Sequence, residues 1–116
     1  MTRRHEIVVN VLLLQENETW IAQGLEYDIT GHGANIKAAI SNFFLTIFGQ
    51  AFVDTQHGEK PLANIKKAPA FYWEKFEQAQ WEWRDDTQKL VPRPECDIPP
   101  AFMISAMSAN LRIYQQ

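Results

Sequence analysis

Alternating apolar positions divide the first quarter of the chain into short strands. Residues 6–15 are rich in Val and Leu and too short for a helix, which favours a strand with both faces at least partly covered. Residues 16–18 form a polar break of hairpin length, and residues 20–27 are typical of a second strand. Residues 28–33 are either a short third strand or a turn. The pattern therefore predicts two or three strands before the first helix.

A long helix is predicted from Ile36 to the neighbourhood of Gly58. Asn35 precedes it and is a favourable N-cap, because its side-chain oxygen can accept from free backbone N–H groups. Gly58 is a suitable terminator. Gly31 and Gly33 can adopt positive φ, which would let the chain turn sharply before the helix. One apolar stripe of this helix consists of Ile36, Ala39, Ile40, Phe43, Ile47 and Ala51.

A second apolar stripe follows the first at four-residue steps and consists of Phe44, Phe48 and Phe52. One stripe about 100° wide is enough to pack a helix on a sheet, so the second stripe needs a cover of its own. Either the C-terminal half of the chain folds back over it, or it is a surface for self-association or for a partner. Gly49 costs about 1 kcal/mol relative to Ala in mid-helix, and close packing of another element would explain it.

The second half of the chain predicts a helix, an arm and a strand. Residues 59–69 are a polar connection, and Pro69 suits the first turn of an aromatic helix over residues 70–83. Residues 85–100 hold four of the six prolines and resist regular structure. Residues 101–114 alternate in the manner of a strand in two pieces.

These elements predict an α+β fold in which an antiparallel sheet of three to four strands packs on the long helix. The expected order is β-β-β-α-β-like, followed by the second aromatic helix and a Pro-rich C-terminal arm that ends in a strand. A chain of 116 residues is expected to form a single domain, residues 1–116. We expect a core module at about residues 6–58, with the appended helix and arm at residues 59–116.

The charge balance argues against a nucleic-acid-binding protein. The chain carries a net charge of −3, and its basic residues are scattered apart from two short pairs, Arg3-Arg4 and Lys66-Lys67. Nucleic-acid binding by the isolated chain is disfavoured, because Lys and Arg supply most of the affinity for phosphates. The single cysteine, Cys96, excludes an intrachain disulfide. The first residues show neither a signal-peptide pattern nor a membrane span, so we expect a cytoplasmic protein that is not bound to a membrane.

Candidate chemistry is confined to two carboxylates. Glu26 and Asp28 are two residues apart near a strand end, so their side chains share a face if the strand continues. Paired acids can hold Mg²⁺, although acids at strand ends more often form a solvated edge. The three histidines lack metal-ligand spacing, and the glycines before the long helix lack the third glycine of a dinucleotide loop. We therefore expect no metal site and no cofactor, and we assign no catalytic residue.

Residues 6–53 combine a strand of the form W-x-A-x…L, the turn GHGAN and a helix that begins IKAAISNF. This order resembles the core of the HicB-like antitoxins. The resemblance implies a β-β-β-α-β module like a truncated ribonuclease H fold, without working catalytic acids. It also implies neutralisation of a small partner toxin and assembly into dimers or larger oligomers. The matching positions are Trp20, Ala22, Leu25, Gly31, Gly33, Ala39, Ile40, Phe43 and Ile47.

We expect a non-catalytic protein-binding module of antitoxin type, and an enzyme is the less favoured class. Its partner would be another protein, such as a small toxin, or a second copy of the chain in a homo-oligomer. One alternative is a small metal-dependent hydrolase or nuclease that uses Glu26 and Asp28, and another is a structural homo-oligomeric subunit. The expected interface residues are Phe44, Phe48, Phe52, Tyr72, Trp73 and Trp83.

Overall fold

Five strands and two helices make up the part of the chain that the structure, a computed structural model, describes: residues 5–79, 81–83 and 104–114. This arrangement confirms the α+β class. The predicted irregular stretch at residues 85–100 lies outside the described residues. In chain order the elements are β1 (His5–Glu16), β2 (Thr19–Gly24), β3 (Thr30–Gly33), α1 (Ile36–Gln56), α2 (Ala70–Gln78), β4 (Trp81–Trp83) and β5 (Ile104–Ile113).

The strands form one mixed sheet in the order β3-β2-β1-β5-β4. β5 runs parallel to β1, with Asn10 opposite Asn110, and the other neighbours are antiparallel. The expected antiparallel sheet of three to four strands is corrected here, because the sheet has a fifth strand and one parallel pair. A parallel pair needs a long crossover connection, and the chain between β1 and β5 contains both helices.

Alternation along β1 places apolar side chains on both faces of the sheet. Val9, Val11 and Leu13 join the core beneath α1, whereas Leu12 joins a second, smaller core beneath α2. The sheet is therefore a middle layer between the two helices, as the two-sided apolar pattern of residues 6–15 predicts.

The ends of α1 follow from its capping residues. Asn35 Oδ1 accepts a hydrogen bond from the backbone N–H of Ala38 at 2.8 Å. At the other end Gly58 adopts φ 72°, and the N–H of Glu59 donates to the carbonyl of Asp54 at 2.8 Å. A left-handed glycine with this bond closes the helix as a Schellman motif. The predicted start and stop of the helix are both confirmed.

Gly31 and Gly33 have a different role from the expected one. Neither has a positive φ, and both lie where β3 passes beneath α1. A Cβ atom on Gly31 would overlap the backbone of Phe43 and Ala39, and one on Gly33 would overlap the backbone of Ala39. The glycines are therefore required by the close approach of strand and helix, not by a left-handed turn.

The second helix is shorter than its aromatic pattern predicts. α2 ends at Gln78, and Ala79 already has an extended conformation at φ −66° and ψ 128°. Trp81–Trp83 is instead strand β4, in which Trp83 pairs with Leu111 of β5. The segment Trp-Glu-Trp alternates with period two and is aromatic, both of which suit a strand, and this corrects the helix predicted to residue 83.

The loop before α2 holds that helix against the sheet. The backbone N–H of Ala68 donates to the carbonyl of Leu25 at 2.9 Å, and the N–H of Asp28 donates to the carbonyl of Lys66 at 2.8 Å. Residues 66–68 thus run beside the end of β2 and place α2 against β1. In this position the helix does not cover β2 and β3 on its own side of the sheet.

Within the described part of the chain, α1 is the one helix whose length and composition would suit a membrane span. The core helix of a globular domain meets the same criteria. α1 contributes a row of buried residues to the core against the sheet, whereas Leu45 and Val53 on the same helix are exposed.

Candidate functional site

Glu26, the first of the two candidate acids, is hydrogen-bonded to β1 at the point where the chain after β2 separates from β1. The last ladder bond joins the N–H of Leu25 to the carbonyl of Asn10 at 3.0 Å. Beyond it, Glu26 Oε1 accepts from the backbone N–H of Asn10 and Oε2 accepts from Asn10 Nδ2, both at 2.6 Å. The carboxylate therefore takes the place of a backbone carbonyl, which is a structural role.

Asp28, the second candidate acid, is bonded within the same loop. Its Oδ1 accepts from Nε2 of the buried Gln23 at 2.9 Å, and the same nitrogen donates to the carbonyl of Gly24 at 2.8 Å. Among the described residues no three His, Cys, Asp or Glu side chains come close enough together to hold a metal ion. Both carboxylates are thus hydrogen-bonded within the chain, Glu26 to Asn10 and Asp28 to Gln23.

Two members of the predicted aromatic interface lie in the core. Phe44 and Phe48 are buried, and only Phe52 is partly exposed. The C-terminal half of the chain contributes Leu62 and Leu111 to the same core. The five-stranded sheet is wider than the predicted one and covers a broader face of α1. Phe44 and Phe48 therefore do not form an exposed surface. The alternative expectation, that the chain itself covers this stripe, applies to these two residues.

The remaining predicted interface residues lie on both sides of the sheet. Tyr72 and Trp73 are half-buried against the α2-side core, and Trp73 Nε1 donates to the carbonyl of Ala68 at 3.1 Å. Trp83 packs against the α1-side core, and its buried Nε1 has no partner that the structure describes. Tyr72 borders an open cavity.

That cavity is a groove of about 630 Å³ on the α2 side of the sheet. Its floor is the uncovered surface of β2 and β3 with the end of β1, and one wall is α2. It exists because α2 is only nine residues long and packs mainly on β1. The groove is lined by Leu14, Gln15, Glu16, Trp20, Ile21, Gln23, Thr30, His32, Phe71, Tyr72, Lys75 and Tyr114.

An aromatic wall with one cation gives the groove its chemistry. Phe71 is 55% exposed, and its ring meets the Tyr72 ring edge-on with centroids 5.2 Å apart. Lys75 Nζ lies 4.5 Å from the centroid of Phe71 and 4.7 Å from that of Tyr114. An ammonium held between two aromatic faces is attracted by both and keeps N–H donors for a ligand. The wall suits an apolar side chain beside a carboxylate.

The groove was not among the sites predicted from the sequence. Phe71 and Lys75 are four residues apart and therefore share one face of the predicted helix. That spacing was a usable signal for a cation beside a ring. The position of Tyr114 beside Lys75 could not be predicted in this way, because it depends on where β5 joins the sheet.

No protein-family model, no curated protein and no solved structure matches this chain. The resemblance of residues 6–53 to the HicB-like core therefore stays a prediction. The function has to be judged from the groove and from the roles of Glu26 and Asp28.

Proposed function

We propose that this chain is a cytoplasmic, non-catalytic protein-binding module of antitoxin type, and that its groove receives the partner. The observation that carries the proposal is the groove of about 630 Å³ with the exposed Phe71 at its mouth. Exposed aromatic side chains beside a concave surface are typical anchors of protein–protein interfaces. Glu26 and Asp28 are occupied by hydrogen bonds within the chain, which favours binding over a metal-dependent hydrolase or nuclease.

The partner binds in the groove through a segment of its own that carries an apolar side chain and a neighbouring carboxylate. The apolar side chain packs on Phe71 and Tyr72, where aromatic surface is already gathered. The carboxylate pairs with the ammonium of Lys75, which lies over the rings of Phe71 and Tyr114. This pairing orients the segment more than it strengthens binding, since exposed ion pairs contribute little free energy.

The antitoxin role is the specific form of this proposal, and it is supported by the HicB-like order of residues 6–53. In that role the chain acts by occupying the surface of a small toxin protein. Such a role needs no chemistry from the groove, only affinity and shape.

Co-expression with the small proteins encoded beside this chain tests the proposal. We expect one of them to co-purify as a stable complex whose mass, by light scattering, is the sum of the two chains. Phe71→Glu should abolish the complex, because a carboxylate would replace the aromatic anchor. Val8→Glu is the matched control, since Val8 is also 55% exposed and lies on the same face of the sheet, about 20 Å along β1 from Leu14.

Two outcomes would overturn the proposal. One is that none of the neighbouring products binds the chain. The other is that Phe71→Glu binds its partner as tightly as the unaltered chain does, which would remove the groove from the interface.

A further inference from the structure

The two helices cover the two sides of the sheet unequally. On one side lies α1 with 21 residues, whereas on the other side α2 has nine residues and packs mainly on β1. The floor of the groove is the surface of β2 and β3 beside α2. The groove therefore occupies the place where a second helix would complete the layer that α2 begins.

The floor of the groove changes from apolar to polar with distance from α2. The strand register places Leu14 of β1 beside Ile21 of β2, and Ile21 beside His32 of β3. Leu14 and Ile21 are half-buried, and His32 is exposed. Neighbouring strands are about 4.8 Å apart, so this row of three residues is about 10 Å wide. An occupant of the groove therefore needs an apolar side towards α2 and a polar side over β3.

We propose that the groove binds an amphipathic α-helix of the partner protein, which lies beside α2 over β2 and β3 and carries a carboxylate opposite Lys75. A helix as the partner's binding element rests on the proposed function of the groove as the partner site. Packed helices lie about 8–10 Å apart, which is the width of two strands, so a helix beside α2 lies over β2 and β3. Phe71 and Lys75 are four residues apart and form the ridge of α2 that this helix meets.

The hydrogen bonds at the edge of β3 disfavour an extended segment that would add a strand to the sheet. The N–H of Gly24 donates to the carbonyl of Ile29 at 2.9 Å. Bonded and unbonded pairs alternate along antiparallel strands, so the carbonyl of His32 points away from β2. This edge carbonyl already accepts from Asn42 Nδ2 at 2.6 Å. β3 also has only four residues, and a short edge strand is a poor template for strand addition.

The charges that line the groove determine where the acidic residue of the bound helix lies. Lys75 is on the α2 wall, over the rings of Phe71 and Tyr114, whereas Glu16 lines the end of the groove at the β1–β2 hairpin. A carboxylate on the bound helix is attracted by Lys75 and repelled by Glu16, so it lies on the side that meets α2. The partner helix therefore has apolar side chains about one turn apart and an Asp or Glu at the border of that stripe.

Selection from two displayed peptide libraries tests this proposal without a natural partner. Peptides of about 14 residues have a helix-forming framework in one library, with varied residues at i, i+3, i+4 and i+7, whereas varied residues alternate with Thr in the other. We expect the purified chain to enrich helical peptides with an acidic residue beside the apolar stripe. A proline in the middle of an enriched peptide should weaken its binding more than about tenfold, because proline breaks a helix.

A charge exchange tests whether the bound helix lies beside α2. Lys75→Glu should weaken the binding of an enriched peptide by about threefold to tenfold, and replacing the acidic residue of the peptide by Lys should restore it. Recovery with the altered peptide also shows that the variant is folded. Lys37→Glu is the matched control, because it makes the same change of charge at an exposed residue of α1, on the other side of the sheet. It should bind the original peptide as the unaltered chain does.

The proposal is overturned if extended peptides are enriched as strongly as helical ones, or if neither library is enriched. It is also overturned if Lys75→Glu and Phe71→Glu both bind the enriched peptides with unchanged affinity. The proposed function fails by a different result, the absence of any neighbouring product that co-purifies with the chain. A neighbouring product that binds through an extended segment would support that function and overturn the helix.

Discussion

Two glycine-to-alanine substitutions should change the stability of this domain in opposite directions. Gly49 lies in the interior of α1 with open space around it, so Gly49→Ala adds a methyl group that touches nothing. Alanine is favoured over glycine in a helix interior, mainly because the unfolded chain loses less freedom on folding. We expect the free energy of unfolding to rise by about 1 kcal/mol.

Gly31→Ala should have the opposite effect. Alanine again reduces the conformational entropy of the unfolded chain, which alone would raise the free energy of unfolding by about 0.4–1 kcal/mol. The new Cβ, however, would overlap the backbone of Phe43 and Ala39 on α1, and backbone atoms cannot yield as a side-chain tip can. Moving β3 away from α1 costs about 1–3 kcal/mol or more for a shift of this kind in a packed core. Taking the middle of each range, we expect a net loss of about 1 kcal/mol.

Urea denaturation followed by far-UV circular dichroism measures both changes. The experiment belongs at submicromolar concentration, where self-association does not contribute to stability. The slope of the transition should be the same for the two variants and the unaltered chain, because each changes the stability of one folded state. In a thermal scan, 1 kcal/mol corresponds to a shift of about 4 °C for a domain of this size.

The result that would refute this reasoning is a reversal of either sign. If Gly49→Ala lowers the stability of the monomer, another element packs on α1 at that point. If Gly31→Ala raises stability, β3 and α1 are farther apart than described. The second outcome would also change the interpretation of the strand–helix contact.

Three further substitutions test individual hydrogen bonds by the same denaturation assay. Glu26→Ala should lower the free energy of unfolding by about 1–3 kcal/mol, because the backbone N–H of Asn10 loses its acceptor; an unchanged value would contradict the role of the carboxylate. Trp73→Phe should cost more than Trp83→Phe, since only the Trp73 indole N–H has a described partner, and equal losses would count against this difference. Asn35→Ala should cost about 1 kcal/mol through loss of the N-cap, and no loss would show that α1 does not need it.

The elements governed by local sequence were predictable. The limits of α1 follow from Asn35 and Gly58, because capping depends on residues within one turn of the helix end. The two covered faces of β1 follow from its apolar positions on both sides of the strand. These features depend on neighbours in the chain, and a sequence displays such neighbours directly.

The features that depend on distant neighbours were missed. The Trp81–Trp83 segment fits helical spacing as well as strand alternation, and its pairing with β5 decides in favour of the strand. Gly31 was assigned a turn because its contact, the backbone of α1, lies several residues away. The groove depends on the short length of α2 and on the position of Tyr114, and neither is marked by a motif. Phe44 and Phe48 are buried because the sheet is wider than three strands.

The position of β5 has a consequence for synthesis of the chain. β5 lies between β1 and β4, and its Asn110 side chain bonds to Asn10 across 100 residues of sequence. At about 5–20 residues per second, those residues take about 5–20 s to translate. During that time one edge of β1, with apolar residues on both faces, has no partner strand. The nascent chain therefore exposes an unpaired, aggregation-prone strand edge for seconds. Its yield in cells should depend on chaperones that bind such edges until β5 has been synthesised.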